Sequence, residues 1–280
     1  MKIGVFDSGL GGLLVFKGLI KKLPRYDFVY LGDLKRLPYG NRRDETIYEF
    51  AKEATDYLFK KEDCQIIIFA CNTASARALR RIQQEYLPKN FEDRRVLGVI
   101  IPTAEEAVQE TKSEKRKTKN IKNDKKIGVL ATMATVNSGT YKREILKLDP
   151  GAKVFEKSAP SLVTLIENGE TKFIEPILRE YLKPLLLKKI DTLILGCTHY
   201  PIIKNIVSKI VGKKTKIISQ DEIIPQKLID YLKGHPEIEN KLKKKGVRKI
   251  LVTELTDEFQ KTAKRWLGKD VDPKVINLQQ

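Results

Sequence analysis

The chain has 280 residues, 41% of them hydrophobic and 32% charged, and a net charge of +18 at neutral pH. That balance excludes a chain disordered throughout, and no apolar run approaches the roughly 20 residues that cross a bilayer. Three well-separated cysteines exclude a disulfide framework and fit reduced thiols in a cytoplasmic protein.

The start, Met1 to Asp7, turns polar after one short strand's length and reads as neither signal peptide nor membrane anchor. Lys2 to Phe6, Phe28 to Leu31, Ile66 to Phe69 and Val96 to Ile100 read as strands, with helices at Gly11 to Leu23 and Asp44 to Lys60 and a third just after Cys71. Beyond Pro102 the alternation starts again, with strands at Ile127 to Leu130, Val154 to Glu156, Thr192 to Leu195 and Ile217 to Ile218. Helices are expected near Thr103 to Thr111, Ser138 to Leu148, Ser161 to Asn168, Pro176 to Leu187, Pro201 to Val211 and Glu222 to Lys233. A strand at Ile250 to Val252, a helix near Asp257 to Trp266 and a strand at Val275 to Leu278 complete one half or the other. Strands alternating with helices predict an α/β fold with mainly parallel sheets.

The positive charge is spread over many segments, which suits a solvated surface better than a nucleic-acid face, although salt-sensitive DNA binding would point to the latter. Its densest stretch, Lys112 to Lys126, holds eight Lys or Arg against Glu114 and Asp124. It has no aromatic residue on which a base would stack, and a mobile surface loop is expected there.

Two motifs carry the chemistry. Ala70-Cys71-Asn72-Thr73-Ala74 and Gly196-Cys197-Thr198-His199-Tyr200-Pro201 each follow an apolar strand and precede a helix. Each cysteine is thus placed at the carboxyl end of a strand, where open α/β sheets bind ligands. A thiol at a helix N-terminus or beside a cationic His favours its thiolate and can exchange protons near neutral pH. One such cysteine can equally be a small core hydrophobe, but two in matched settings point to a site. Cys64 has no such neighbours and reads as structural.

Phe6-Asp7-Ser8-Gly9-Leu10-Gly11-Gly12 is another strand end running into a helix. It lacks the third glycine of a dinucleotide fingerprint and the lysine of a P-loop, so its glycines suggest backbone amides approaching a small carboxylate. Gly32-Asp33 with Pro38-Tyr39-Gly40 adds a strand end and a turn.

Together, Asp7-Ser8-Gly9-Leu10-Gly11-Gly12, Asp33 with Pro38-Tyr39-Gly40, Cys71-Asn72-Thr73 and Gly196 to Pro201 resemble the signature of glutamate racemases, in the aspartate/glutamate racemase superfamily. Ile127 to Thr132 with Thr135, Ser138, Gly139 and Tyr141, and Pro160 to Glu167, are similar as well. The resemblance implies two flavodoxin-like domains related by a pseudo-twofold axis, residues 1–100 with 220–280 and residues 101–219. Glutamate would bind in the cleft between them, with no pyridoxal phosphate or other cofactor and no metal, in a homodimer that stays off the membrane.

By the same resemblance Cys71 and Cys197 are the proton-transferring thiols, Cys71 acting on D-glutamate with Asp7 assisting and Cys197 on L-glutamate with His199 assisting. Asp7, Ser8, Tyr39, Gly40, Asn72, Thr73, Thr198 and His199 are implied to contact substrate. Thr132 and Thr135 lie near it, Glu167 supports the His, and the cellular role is supply of D-glutamate for peptidoglycan. The chain departs from the pattern at Leu34-Lys35, at Ala159 and in the Lys112 to Lys126 stretch, which looks like an insertion. Two other readings remain: an aspartate racemase, whose second motif typically has Glu where His199 stands, and a metal site made by Cys71, Cys197 and His199, for which no fourth ligand is evident.

Overall fold

A computed structural model describes residues 1–115, 125–268 and 271–279; most of the basic Lys112 to Lys126 stretch lies outside the described residues. The chain begins β1 (Lys2–Asp7), α1 (Gly12–Lys22), β2 (Phe28–Gly32), α2 (Asp44–Lys60), β3 (Cys64–Phe69). Helix α3 (Asn72–Arg77), α4 (Leu79–Arg81), a π-turn over Ile82–Tyr86 and α5 (Leu87–Asn90) lead to β4 (Arg95–Gly98). Next come α6 (Ile100–Lys115), β5 (Lys126–Ala131), α7 (Met133–Asn137), α8 (Thr140–Leu148), β6 (Lys153–Ser158), α9 (Leu162–Glu167), α10 (Thr171–Leu187) and β7 (Thr192–Gly196). A 3-10 turn over Tyr200–Ile203, α11 (Lys204–Val211) and β8 (Lys216–Ile218) follow, and then α12 (Gln220–Gly234), α13 (Pro236–Glu239), β9 (Arg248–Val252), α14 (Asp257–Leu267) and β10 (Lys274–Val275).

The strands form two parallel sheets, one of six in the order β10-β9-β2-β1-β3-β4 and one of four in the order β6-β5-β7-β8. Parallel sheets need both faces covered, and the strand residues alternate accordingly. On β3, Ile66 and Ile68 pack with α1, α12 and α14, while Ile67 and Phe69 pack with α2. On the smaller sheet Leu193 and Leu195 face α9, α10 and α11, and Ile194 faces α6 and α8. The last strands, β9 and β10, join the larger sheet beside β2.

Three elements differ from their sequence expectation. The strand expected over Val96 to Ile100 stops at Gly98, because Ile100 already opens α6 and buries against β5. Pro102 is tolerated in that first turn, where its missing N–H has no helical partner to lose. Helix α10 begins at Thr171 rather than Pro176 and runs through Pro176 and Pro184. Ile174, Leu178, Leu182 and Leu185 form one buried stripe along it, and that burial outweighs the prolines' helix-breaking cost. Strand β10 covers Lys274–Val275 instead of Val275 to Leu278. Among the described residues no helix is long and apolar enough to cross a membrane.

The topology places the site. In the larger sheet the chain leaves β1 towards β2 on one side and returns to β3 on the other; in the smaller sheet it leaves β5 towards β6 and returns to β7. Both sheets therefore have a switch point, β1/β3 and β5/β7, and ligand crevices open at the carboxyl ends of strands at such points. Asp7, Cys71, Thr132 and Cys197 stand at those four strand ends.

Candidate active site

The two switch points face each other. Ser8, Tyr39, Gly40, Cys71, Asn72 and Thr73 from the larger sheet's side, and Thr132, Cys197, Thr198 and His199 from the smaller sheet's side, line one cavity of about 30 Å³. Leu37, Pro38, Asn41, Pro160 and Val163 complete its wall. Asp7 is fully buried behind the lining, and Glu167 and Thr135 also stand behind it. A larger groove, about 610 Å³, runs between α3, α8 and α12, but contains neither thiol of the two motifs. Among the described residues no group of three His, Cys, Asp or Glu is placed to hold a metal ion.

Each thiol has its own polar companion. Cys71 is the residue before α3, with Ser8 Oγ 3.2 Å from its sulfur. Burial pushes the Cys71 thiol up to about 12, and the charge of Asp7 adds to this, against the Ser8 hydroxyl and the Ala74 N–H that favour the thiolate. Charge on Cys197 raises it further, so the two sulfurs sense each other across the cavity. Cys197 has His199 Nδ1 at 3.7 Å. The other ring nitrogen of His199 is bonded to Glu167 Oε1. Burial alone would lower the imidazole's proton affinity, but its bonds to Cys197 and Glu167 outweigh burial and hold it well above the usual value. Cys64, by contrast, opens β3 in the core, where burial holds it as a neutral thiol.

Asp7 accepts from the Gly9 N–H at 2.9 Å and the Thr198 hydroxyl at 3.1 Å. Burial raises its carboxyl to about 6, the nearby His199 charge opposing that shift. The Leu10 N–H donates to Glu167 at 3.2 Å. These two loop amides thus serve the protein's own carboxylates, where the sequence suggested a ligand carboxylate. Gly11 has a second reason: a Cβ there would lie 2.4 Å from the Thr198 carbonyl carbon and 2.6 Å from the His199 nitrogen. The bare backbone lets the loop after β1 press against the loop after β7.

Most of the other polar side chains around the cavity are committed within the protein. The Tyr39 hydroxyl donates to Asp33 at 2.5 Å, and Asp33 also takes bonds from Arg36 Nε and Thr253. Asp33 itself is absent from the cavity wall; it fixes Tyr39. The hydroxyls of Thr73, Thr132 and Thr135 form a cluster with Oγ–Oγ distances of 3.0 to 3.5 Å. Asn72 accepts from Tyr141 and Gln220 through Oδ1, while its buried Nδ2 has no partner among the described residues. Gln220 carried no motif of its own and went unnoticed in the sequence.

Comparison with known proteins gives the arrangement a family. Residues 17–220 match the model of the Asp/Glu/Hydantoin racemase family. The chain is 36% identical over 280 residues to a glutamate racemase of Sulfurihydrogenibium sp., covering 99% of this chain and 98% of that one. Among solved structures, it superposes with a TM-score of 0.85 on a glutamate racemase isoform of Bacillus anthracis, at 33% identity, covering 99% of this chain and 97% of that one. It matches the Francisella tularensis glutamate racemase in complex with D-glutamate with a TM-score of 0.84, at 31% identity and with the same coverage of both chains. The chain therefore belongs to the Asp/Glu/Hydantoin racemase family, among its glutamate racemases.

Proposed function

We propose that this protein interconverts L- and D-glutamate without a cofactor, Cys71 and Cys197 acting as paired acid and base. The observation that carries the reading is that two buried thiols, one from each sheet, line the same cavity. Inverting a carbon that bears a hydrogen requires a proton to leave one face while another arrives on the opposite face, and two groups that each serve as acid or base suffice. The residues 1–100 with 220–280 then form one half of the enzyme and residues 101–219 the other, each supplying one thiol.

The companions differ in a way that suits the two directions. His199, held cationic by Glu167, lies beside Cys197, its Nδ1 3.7 Å from the sulfur, and assists that thiol. Burial keeps Cys71 protonated, with Asp7 and Ser8 behind it. Thiolate at Cys197 and thiol at Cys71 is the pairing that starts from L-glutamate; exchanging the proton across the substrate leaves the opposite pairing, which starts from D-glutamate. Amide and hydroxyl donors of Asn72, Thr73, Thr198 and Ser8 hold the substrate carboxylates in a site closed to water. In the cytoplasm the product D-glutamate would supply peptidoglycan synthesis.

The test is incubation with L-glutamate in heavy water, under reducing conditions and with no added cofactor. D-glutamate carrying deuterium at the α-carbon is the expected product; racemised aspartate with untouched glutamate would move the reading to the other substrate. Cys71→Ser and Cys197→Ser should each cut the rate by several orders of magnitude with the circular dichroism spectrum unchanged, and full activity in both would end the two-thiol reading.

A further inference from the structure

Asn72 sits at the cavity wall, 2% exposed, and its carboxamide is held from one side only. Its Oδ1 accepts from the Tyr141 hydroxyl at 2.6 Å and from Gln220 Nε2 at 3.1 Å. Gln220 Nε2 also donates to the Tyr141 oxygen at 2.9 Å, closing a triangle of three buried side chains. Burial raises the Tyr141 phenol well above its ordinary value, so the hydroxyl keeps the proton it donates. Two donors converge on Oδ1; turning the Asn72 carboxamide over would set its own N–H2 against the Gln220 N–H2.

Asn72 Nδ2 is left buried and without an acceptor among the described residues, a state that costs free energy unless a ligand fills it. The Tyr39 hydroxyl gives its proton to Asp33, so it does not compete for that role. Neither Tyr141 nor Gln220 reaches the cavity wall. Tyr141 belongs to α8, Gln220 opens α12 directly after β8, and Asn72 opens α3, so the triangle ties the smaller sheet's helix and the returning chain to the Cys71 loop.

We infer that Tyr141 and Gln220 are positioning residues, which lock the Asn72 carboxamide with its N–H2 turned towards a carboxylate of the bound amino acid. This rests on the racemase reading above. A donor that grips a carboxylate equally before and during proton transfer contributes to uniform binding, so its loss appears in KM and leaves kcat nearly intact.

A double-mutant cycle tests it. Tyr141→Phe and Gln220→Leu, made singly, should each raise the KM for glutamate roughly tenfold, as for a misdirected hydrogen bond to a charged group, with kcat within about twofold. In an Asn72→Ala background neither substitution should raise KM further, because both act through the same carboxamide. Tyr141→Phe preserves the ring and carries the test if Gln220→Leu fails to fold. Increments in KM that persist in the Asn72→Ala background, or a fall in kcat at unchanged KM with a lowered melting temperature, would overturn the inference. The wild-type protein is assayed alongside: inertness towards glutamate would overturn the racemase reading and the inference with it, whereas an active wild type with an additive cycle overturns the inference alone.

Discussion

A carboxyl group with no exposed surface and a proton affinity raised to about 6 costs the fold free energy whenever it ionises, and Asp7 is such a group. Its folded value lies above the unfolded value of 3.8, so the native state holds the proton more tightly than the denatured state. The penalty is absent below the unfolded value, grows as pH rises between the two, and is complete above the folded one. Asp7→Asn should therefore gain stability relative to the parent by on the order of 2 kcal/mol between about pH 4.5 and pH 8, read by urea denaturation, while its racemase activity falls. A gain independent of pH would show that Asp7 does not titrate in this range. Such a residue was legible in the sequence, because Asp7 ends an apolar strand and a glycine run follows. Its partners were not: Thr198 lies 191 positions away and reaches Asp7 only through the meeting of two sheets. Gln220, 148 positions from Asn72, was hidden for the same reason.

At the scale of elements, the close contact between the loop after β1 and the loop after β7 rests on Gly11. The atoms that an added Cβ would strike belong to the Thr198 and His199 backbone, which cannot swing aside as a side chain could. Gly11→Ala should lower stability by roughly 2 kcal/mol. It should also reduce kcat/KM at least about tenfold, since the displaced loop carries Cys197 and a small misplacement in an active site is expensive. Thermal denaturation and steady-state kinetics check both; an unchanged kcat/KM would mean that the two loops tolerate separation. The strands were readable because parallel strands covered on both faces are continuous apolar runs, as in Ile66-Ile67-Ile68-Phe69. The helices were less so. Helix α10 crosses two prolines because a buried stripe holds it, and the segment after Cys71 breaks into α3, α4, a π-turn and α5. Long-range packing decides both, and local propensity does not report it.

The whole molecule sets one further condition on the chemistry. The walls of the site come from two separate sheets, and between them lies a narrow cavity of about 30 Å³. Both thiols are almost fully buried. Contacts across the divide, such as the hydroxyls of Thr73 and Thr132 at 3.0 Å and Arg77 Nε donating to the Ala134 carbonyl at 2.9 Å, are few-atom bonds that can part and re-form. In the reading proposed above, substrate enters as those contacts part, and their closure restores the dry, preorganised site in which proton transfer is favoured. The kinetic consequence is specific. When opening precedes binding, the observed rate of binding rises with glutamate concentration only until opening becomes limiting, and then levels off. Stopped-flow fluorescence in the Cys71→Ser variant, where turnover is suppressed, should show that plateau. A rate that climbs linearly to the highest glutamate concentration would mean that the site admits substrate without parting its halves.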